Sequence, residues 1–303
     1  MNNYEKLEGM VAATFTPLDE NGDVNLSVID KYADWIASTP IKGVFVCGTT
    51  GEFSSLAIDE RKLILEKWLV SARKRFKVIA HVGSNCQRSA MELARHAAQV
   101  GADAIASIAP SFFKPGTVDE LVDFFAPICH SAAGLPFYYY NMPSITGVNL
   151  PVDKFLVEGK KKIPNLVGTK FTHNNLMEMG VCIELEQHRF EVLHGYDEIL
   201  ISGLAMGAVA GVGSTYNYIP NVYQAIFDSM KMNDLETARH NQIKSIRTVE
   251  VIIKYGGGVR GGKAIMKLIG IDCGSCRVPI KPFSVDEYEK LRRDLDAIKF
   301  FEF

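Results

Sequence analysis

The chain has 303 residues, 47% of them hydrophobic, with 33 basic against 35 acidic side chains and a formal net charge of −2. Such a composition supplies a large core, in one barrel with an appendage or in two domains, and the near balance of charge, without a basic run or stripe, argues against a nucleic-acid binder. The first residues, Met-Asn-Asn-Tyr-Glu-Lys-Leu-Glu, lack the positive and apolar regions of a signal peptide, and no stretch reaches the roughly 18 apolar residues of a membrane span, so no membrane association and a cytoplasmic location are expected.

Apolar, strand-like runs recur at residues 10–16, 42–47, 78–82, 102–108, 136–140, 166–170, 190–193 and 208–212. Between them, stretches such as 27–37, 58–75, 89–100 and 118–132 carry apolar residues at helical spacing. This α/β alternation predicts a (β/α)8 TIM barrel over residues 1–218, with an active site where the strands end. From 219 to 303 the pattern turns to helices alone, at 222–232, 235–255, 262–268 and from about 284. No flexible linker precedes them, so a C-terminal helical extension packed on the barrel is expected, closing a helix-rich surface or building subunit contacts.

The second strand-like run enters Gly48-Thr-Thr-Gly-Glu52, where small residues free the backbone and Thr49 and Thr50 offer hydroxyls. Such a turn can hold a carboxylate or phosphate. The aromatic run Leu135-Pro-Phe-Tyr-Tyr-Tyr-Asn-Met-Pro143 delivers Tyr140 at its exit. The next run, Ile163-Pro-Asn-Leu-Val-Gly-Thr-Lys-Phe-Thr172, carries Lys170 at the end of an otherwise buried strand. A lysine there either reaches solvent or stands as a neutral amine able to attack a carbonyl. Gly195-Tyr-Asp-Glu198 and Gly213-Ser-Thr-Tyr216 follow the last two runs, so all five segments meet on one rim. Together they suggest an imine-forming enzyme whose substrate has a carboxylate beside a carbonyl. Asp197 and Glu198 suit either a hydroxyl-rich ligand or the cap of a following helix.

Two further motifs point elsewhere. Cys273-Gly-Ser-Cys276 has redox or zinc spacing but lacks a second pair, so free thiols in a reducing compartment and no metal are expected. Gly257-Gly-Val-Arg-Gly-Gly-Lys263 has phosphate-loop spacing, but Ala264 stands where a hydroxyl would hold Mg²⁺. Its glycines read as a connection between helices.

Gly48-Thr-Thr-Gly-Glu52, Tyr140-Asn-Met-Pro143, Gly168-Thr-Lys-Phe171 and Gly213-Ser-Thr-Tyr-Asn217 resemble the signatures of the N-acetylneuraminate lyase and dihydrodipicolinate synthase superfamily, across essentially the whole chain. Residues 138–147, 194–198 and 211–217 are most similar to its N-acetylneuraminate (sialic acid) lyase branch. The resemblance implies a pyruvate-dependent class I aldolase on a TIM barrel, a homotetramer using no metal or cofactor. It implies Lys170 as Schiff-base nucleophile, Tyr140 as proton shuttle, and Thr49 and Thr50 on the substrate carboxylate, with sialic acid cleaved to N-acetylmannosamine and pyruvate.

Thr172, Gly195, Asp197, Glu198 and Ser214 are expected along the substrate's hydroxyl-rich tail. The dihydrodipicolinate branch typically places an arginine shortly after the tyrosine strand, where this chain has Ile145. An isoleucine cannot pair a carboxylate. The chain departs from the superfamily pattern in Ala109-Pro-Ser-Phe-Phe-Lys114, where Phe113 takes the position of a second relay tyrosine. Another pyruvate aldolase acting on a related sugar acid, or a non-catalytic sugar-acid binder, remains open at this stage.

Overall fold

A computed structural model describes residues 4–303. Strands β1 (Gly9–Ala13), β2 (Gly43–Val46), β3 (Lys77–His81), β4 (Ala104–Ile108), β5 (Phe137–Asn141), β6 (Leu166–Phe171), β7 (Glu191–His194) and β8 (Ala210–Gly213) close a parallel barrel in chain order, with β8 pairing back onto β1. Helices α1 (Val28–Ala37), α2 (Ile58–Ala72), α3 (Gln87–Val100) and α4 (Val118–His130) follow the first four strands. After β5 come a single turn, α5 (Pro143–Thr146), and α6 (Val152–Lys162); then α7 (Leu176–Glu184), α8 (Leu200–Ala205) and α9 (Pro220–Lys231) follow β6, β7 and β8. The fold is therefore a TIM barrel with additional C-terminal helices, α10 (Leu235–Lys254), α11 (Gly257–Leu268) and α12 (Val285–Ala297).

Helix α4 illustrates why the ring forms. Leu121, Val122, Phe125, Ala126, Ile128 and Cys129 recur at three- and four-residue spacing and are buried, while Thr117 and Glu120 form a reciprocal capping box at its start. The larger core lies between helices and barrel, where Phe125 meets Phe137, Tyr139 and Phe155. A second core fills the barrel interior with Val11, Ala13, Phe45, Ile79, Ala106, Tyr138, Tyr140, Leu193 and Val212. At the floor, Glu191 accepts hydrogen bonds from Leu7 N (2.9 Å) and Tyr138 Oη (3.0 Å), drawing the segment before β1 across the barrel's lower end.

Two local features differ from the sequence expectation. Strand β1 stops at Ala13 and not Thr16. Beyond it, Phe15 packs under α11 and the Thr16 hydroxyl donates to Gly51 O at 2.7 Å. Of the glycines of 257–263, expected as a connection, Gly257 serves as one, while Gly258, Gly261 and Gly262 lie inside α11. Gly256 (φ 92°) and Gly257 (φ 84°) make the turn from α10, whereas Gly262 lets the helix approach Phe15 so closely that a Cβ would stand 2.4 Å from its ring.

A register shift in the β5–β6 ladder positions the key lysine. Phe137 pairs with Leu166, but Tyr138, Tyr139 and Tyr140 pair with Gly168, Thr169 and Lys170. One extra residue in β6 inverts the alternation beyond it, so Lys170 points into the barrel beside Tyr140 while Phe171 packs into the outer core. Gly168 is required at this step, because a Cβ there would lie 2.0 Å from Glu191 O.

Candidate active site

Lys170 is 5% exposed, and its Nζ lies 4.1 Å from the ring centre of Tyr140 and 4.5 Å from that of Phe45. Two aromatic faces thus take the place of water around the amine, leaving it open toward the strand ends. The Tyr140 hydroxyl stands 3.2 Å from Thr49 Oγ1 and donates to Met142 Sδ at 3.0 Å. Thr49 thereby joins the lysine and tyrosine to the Gly48–Glu52 turn. That turn closes through Glu52 N to Thr49 O (3.0 Å) and Phe53 N to Gly48 O (3.3 Å).

On the other side of the lysine, Thr172 is buried with its hydroxyl unpartnered, and Gly195 gives it room, since a Cβ there would fall 2.0 Å from Thr172 Oγ1. Asp197 lies against the next bare position, Gly213, and accepts from Thr215 N (2.9 Å) and Thr215 Oγ1 (2.6 Å). Its second carboxylate oxygen has no partner. Burial is the main cause that raises the Asp197 pKa to about 6, with the Thr215 hydrogen bonds pulling the other way. Its backbone carbonyl accepts from Gln242 Nε2 (3.0 Å) and Ser245 Oγ (3.2 Å) of α10. The carboxylate is held by Thr215 in the turn after β8 and the backbone carbonyl by α10, so the residue does not cap α8.

All nine residues expected at the site line one cavity of about 310 Å³ at the carboxyl ends of the strands: Thr49, Thr50, Tyr140, Lys170, Thr172, Gly195, Asp197, Glu198 and Ser214. The cavity has a lysine–tyrosine–threonine end and an acidic, hydroxyl-bearing end. Among the described residues, no group of three His, Cys, Asp or Glu side chains is disposed to hold a metal ion. Residues that sequence reasoning missed complete the wall: Met142 beside the tyrosine, Tyr196, and Val249, Ile252, Ile253 and Val259 from α10 and α11. The aliphatic ones read as helix core, and no local signal marks them. Phe112 and Phe113, in the loop after β4, are 77% and 86% exposed and pack edge to face at 5.0 Å, while Ile145 is also exposed.

A buried lysine at the end of a TIM-barrel strand, beside a tyrosine and a cavity at the carboxyl ends of the strands, defines a TIM-barrel enzyme with its candidate site where that fold places active sites. The dihydrodipicolinate synthetase family model matches residues 6–298. An N-acetylneuraminate lyase of Mus musculus is 41% identical over 300 residues, 98% of this chain and 94% of that one. That of Gallus gallus is 42% identical over 302 residues, 98% of each. The solved Proteus mirabilis N-acetylneuraminate lyase superposes with a TM-score of 0.95 at 35% identity, covering 98% of this chain and 100% of that one. The chain belongs to the dihydrodipicolinate synthetase family.

Proposed function

We propose that the chain is an N-acetylneuraminate lyase, a class I aldolase that reversibly cleaves sialic acid to N-acetylmannosamine and pyruvate. The observation that carries this reading is the two-ended cavity: an amine with a phenol and paired threonines at one end, and Thr172, Asp197, Glu198 and Ser214 at the other. Lyases of that name at about 40% identity over nearly the whole chain support it. The exposed, apolar Ile145 gives no support for a substrate with a second carboxylate to hold.

In this reading Thr49 and Thr50 hold the carboxylate of the open-chain 2-keto acid, and the Lys170 amine attacks C2. Loss of water gives a protonated imine, into which the C3–C4 electrons flow as that bond breaks. The proton of the C4 hydroxyl passes to the Tyr140 oxygen as that hydroxyl hands its own proton to the substrate carboxylate, since a neutral phenol accepts a proton only by giving one up. N-acetylmannosamine leaves as the aldehyde. The remaining enamine takes a proton at C3, and water releases pyruvate from the lysine.

Asp197 through its free oxygen, with Glu198, Ser214 and Thr172, would accept or donate hydrogen bonds along the sugar tail, while Gly195 leaves room for it. A homotetramer accounts for the exposed Phe112, Phe113 and Ile145, and six unpaired cysteines suit the cytoplasm. No helix among the described residues is long and apolar enough to cross a membrane.

Two measurements test the reading. Pyruvate with borohydride should leave one reduced adduct, mapped by mass spectrometry to the Lys170 peptide, and an adduct on another lysine overturns the assignment. Side by side, sialic acid cleavage should outrun condensation of pyruvate with aspartate semialdehyde; the reverse order moves the chain to the other branch.

A further inference from the structure

Two non-glycine residues with left-handed backbone bracket the Gly48–Glu52 turn: Cys47 (φ 55°) and Glu52 (φ 56°). Such conformations are costly outside glycine and persist where surrounding structure enforces them. At the first, Cys47 O is fixed by His81 Nδ1 at 2.8 Å. At the second, the Glu52 carboxylate turns away from the cavity into the protein. It meets Lys263 Nζ at 2.6 Å, with side chains 3% and 2% exposed, and accepts from Arg277 N at 2.9 Å.

Lys263 is itself tied down, donating to Ser275 O at 3.0 Å. It stands on α11, which the bare Gly262 brings against Phe15, just before Thr16, whose hydroxyl donates to Gly51 O. The turn is thus seated on the C-terminal extension through a buried ion pair and the Arg277 N–H, and a carboxylate freed from the lysine would swing Thr49, Thr50 and their N–H groups out of register.

We propose that Lys263 and Glu52 are positioning residues: their ion pair locks the Gly48–Glu52 turn in the conformation that receives the substrate carboxylate, so the C-terminal extension sets keto-acid affinity without touching the ligand. This rests on the pyruvate-aldolase reading above, and the test separates the two. Lys170 trapping with cyanoborohydride is titrated with pyruvate and, separately, with acetaldehyde, a carbonyl compound lacking a carboxylate. If the unaltered protein gives no pyruvate adduct on Lys170, the aldolase reading itself fails.

Given that adduct, Lys263→Met raises the half-saturating pyruvate concentration about tenfold or more, the scale of a misdirected hydrogen bond to a charged group, with the saturating rate and acetaldehyde trapping within about twofold. Lys263→Arg, which keeps the charge, recovers most of the pyruvate affinity. Equal losses for pyruvate and acetaldehyde, or an unchanged pyruvate half-saturation in folded Lys263→Met, overturn the proposal. If Lys263→Met does not fold, Glu52→Gln, which still accepts from Arg277 N, decides by the same criterion: a loss confined to pyruvate supports the lock and any other pattern refutes it.

Discussion

The Tyr140 hydroxyl is hydrogen-bonded to Thr49 and Met142, so removing it takes away a proton carrier without opening the core. Tyr140→Phe should fold and still be trapped by pyruvate while sialic acid cleavage falls on the order of 10²-fold, the usual scale for a lost acid–base group. Near-normal cleavage would assign the proton to water or to the substrate's own carboxylate. Buried groups set an acid response: His81 and His194, both held below the ordinary histidine range by burial, cost stability as pH falls, while Asp197 adds it. His194, wholly buried in β7, is pushed by burial from 6.5 down to about 4, so the stability it contributes is complete above pH 6.5 and is lost as pH falls toward 4. Asp197 is raised from 3.8 to about 6, so the fold binds its proton more tightly than the unfolded chain and gains stability as pH falls from 6. Each is worth up to about 3 kcal/mol, with opposite slopes. Asp197→Asn leaves the histidines uncompensated, and urea titrations between pH 7 and 4 should show its stability falling more steeply with acid than that of the unaltered chain. Parallel profiles would contradict this.

At the scale of elements, the extra residue in β6 decides which face Lys170 presents, and Gly168 is its weakest point. Gly168→Ala drives a methyl into Glu191 O, which belongs to the neighbouring strand's backbone and cannot rotate away. The expected cost is about 1–3 kcal/mol, with pyruvate trapping at Lys170 lost or slowed in parallel; an unaffected melting temperature and trapping would show that β6 can slide. Thr117→Ala, in contrast, removes only a cap, and should lower stability by about 1 kcal/mol while leaving cleavage unchanged. The strands were legible because each is a short apolar run closed by glycine, proline or polar residues. The shift inside β6 was not, since nothing in Leu166-Val-Gly-Thr-Lys170 says which residue is the extra one until β5 lies beside it. The glycines before Lys263 failed for a related reason: their bareness serves a helix pressed against Phe15, and a partner 247 residues away leaves no local trace.

Over the whole molecule, the barrel gathers side chains distant in sequence at one end of the strands, and that placement followed from counting eight β/α units. The aliphatic wall from α10 and α11 could not be anticipated, because a residue such as Ile252 carries the same apolar signal whether it faces a neighbouring helix or a cavity. At the opposite end the chain enters across the barrel floor, with Leu7 N on Glu191 and Gly9 N on Val209 O. Attachment to a solid support through a tag joined ahead of Tyr4 therefore anchors the protein by the pole away from its substrate cavity. An immobilised layer oriented in this way directs the reactive mouths into the flowing solution, whereas random coupling through surface lysines turns a share of them toward the matrix.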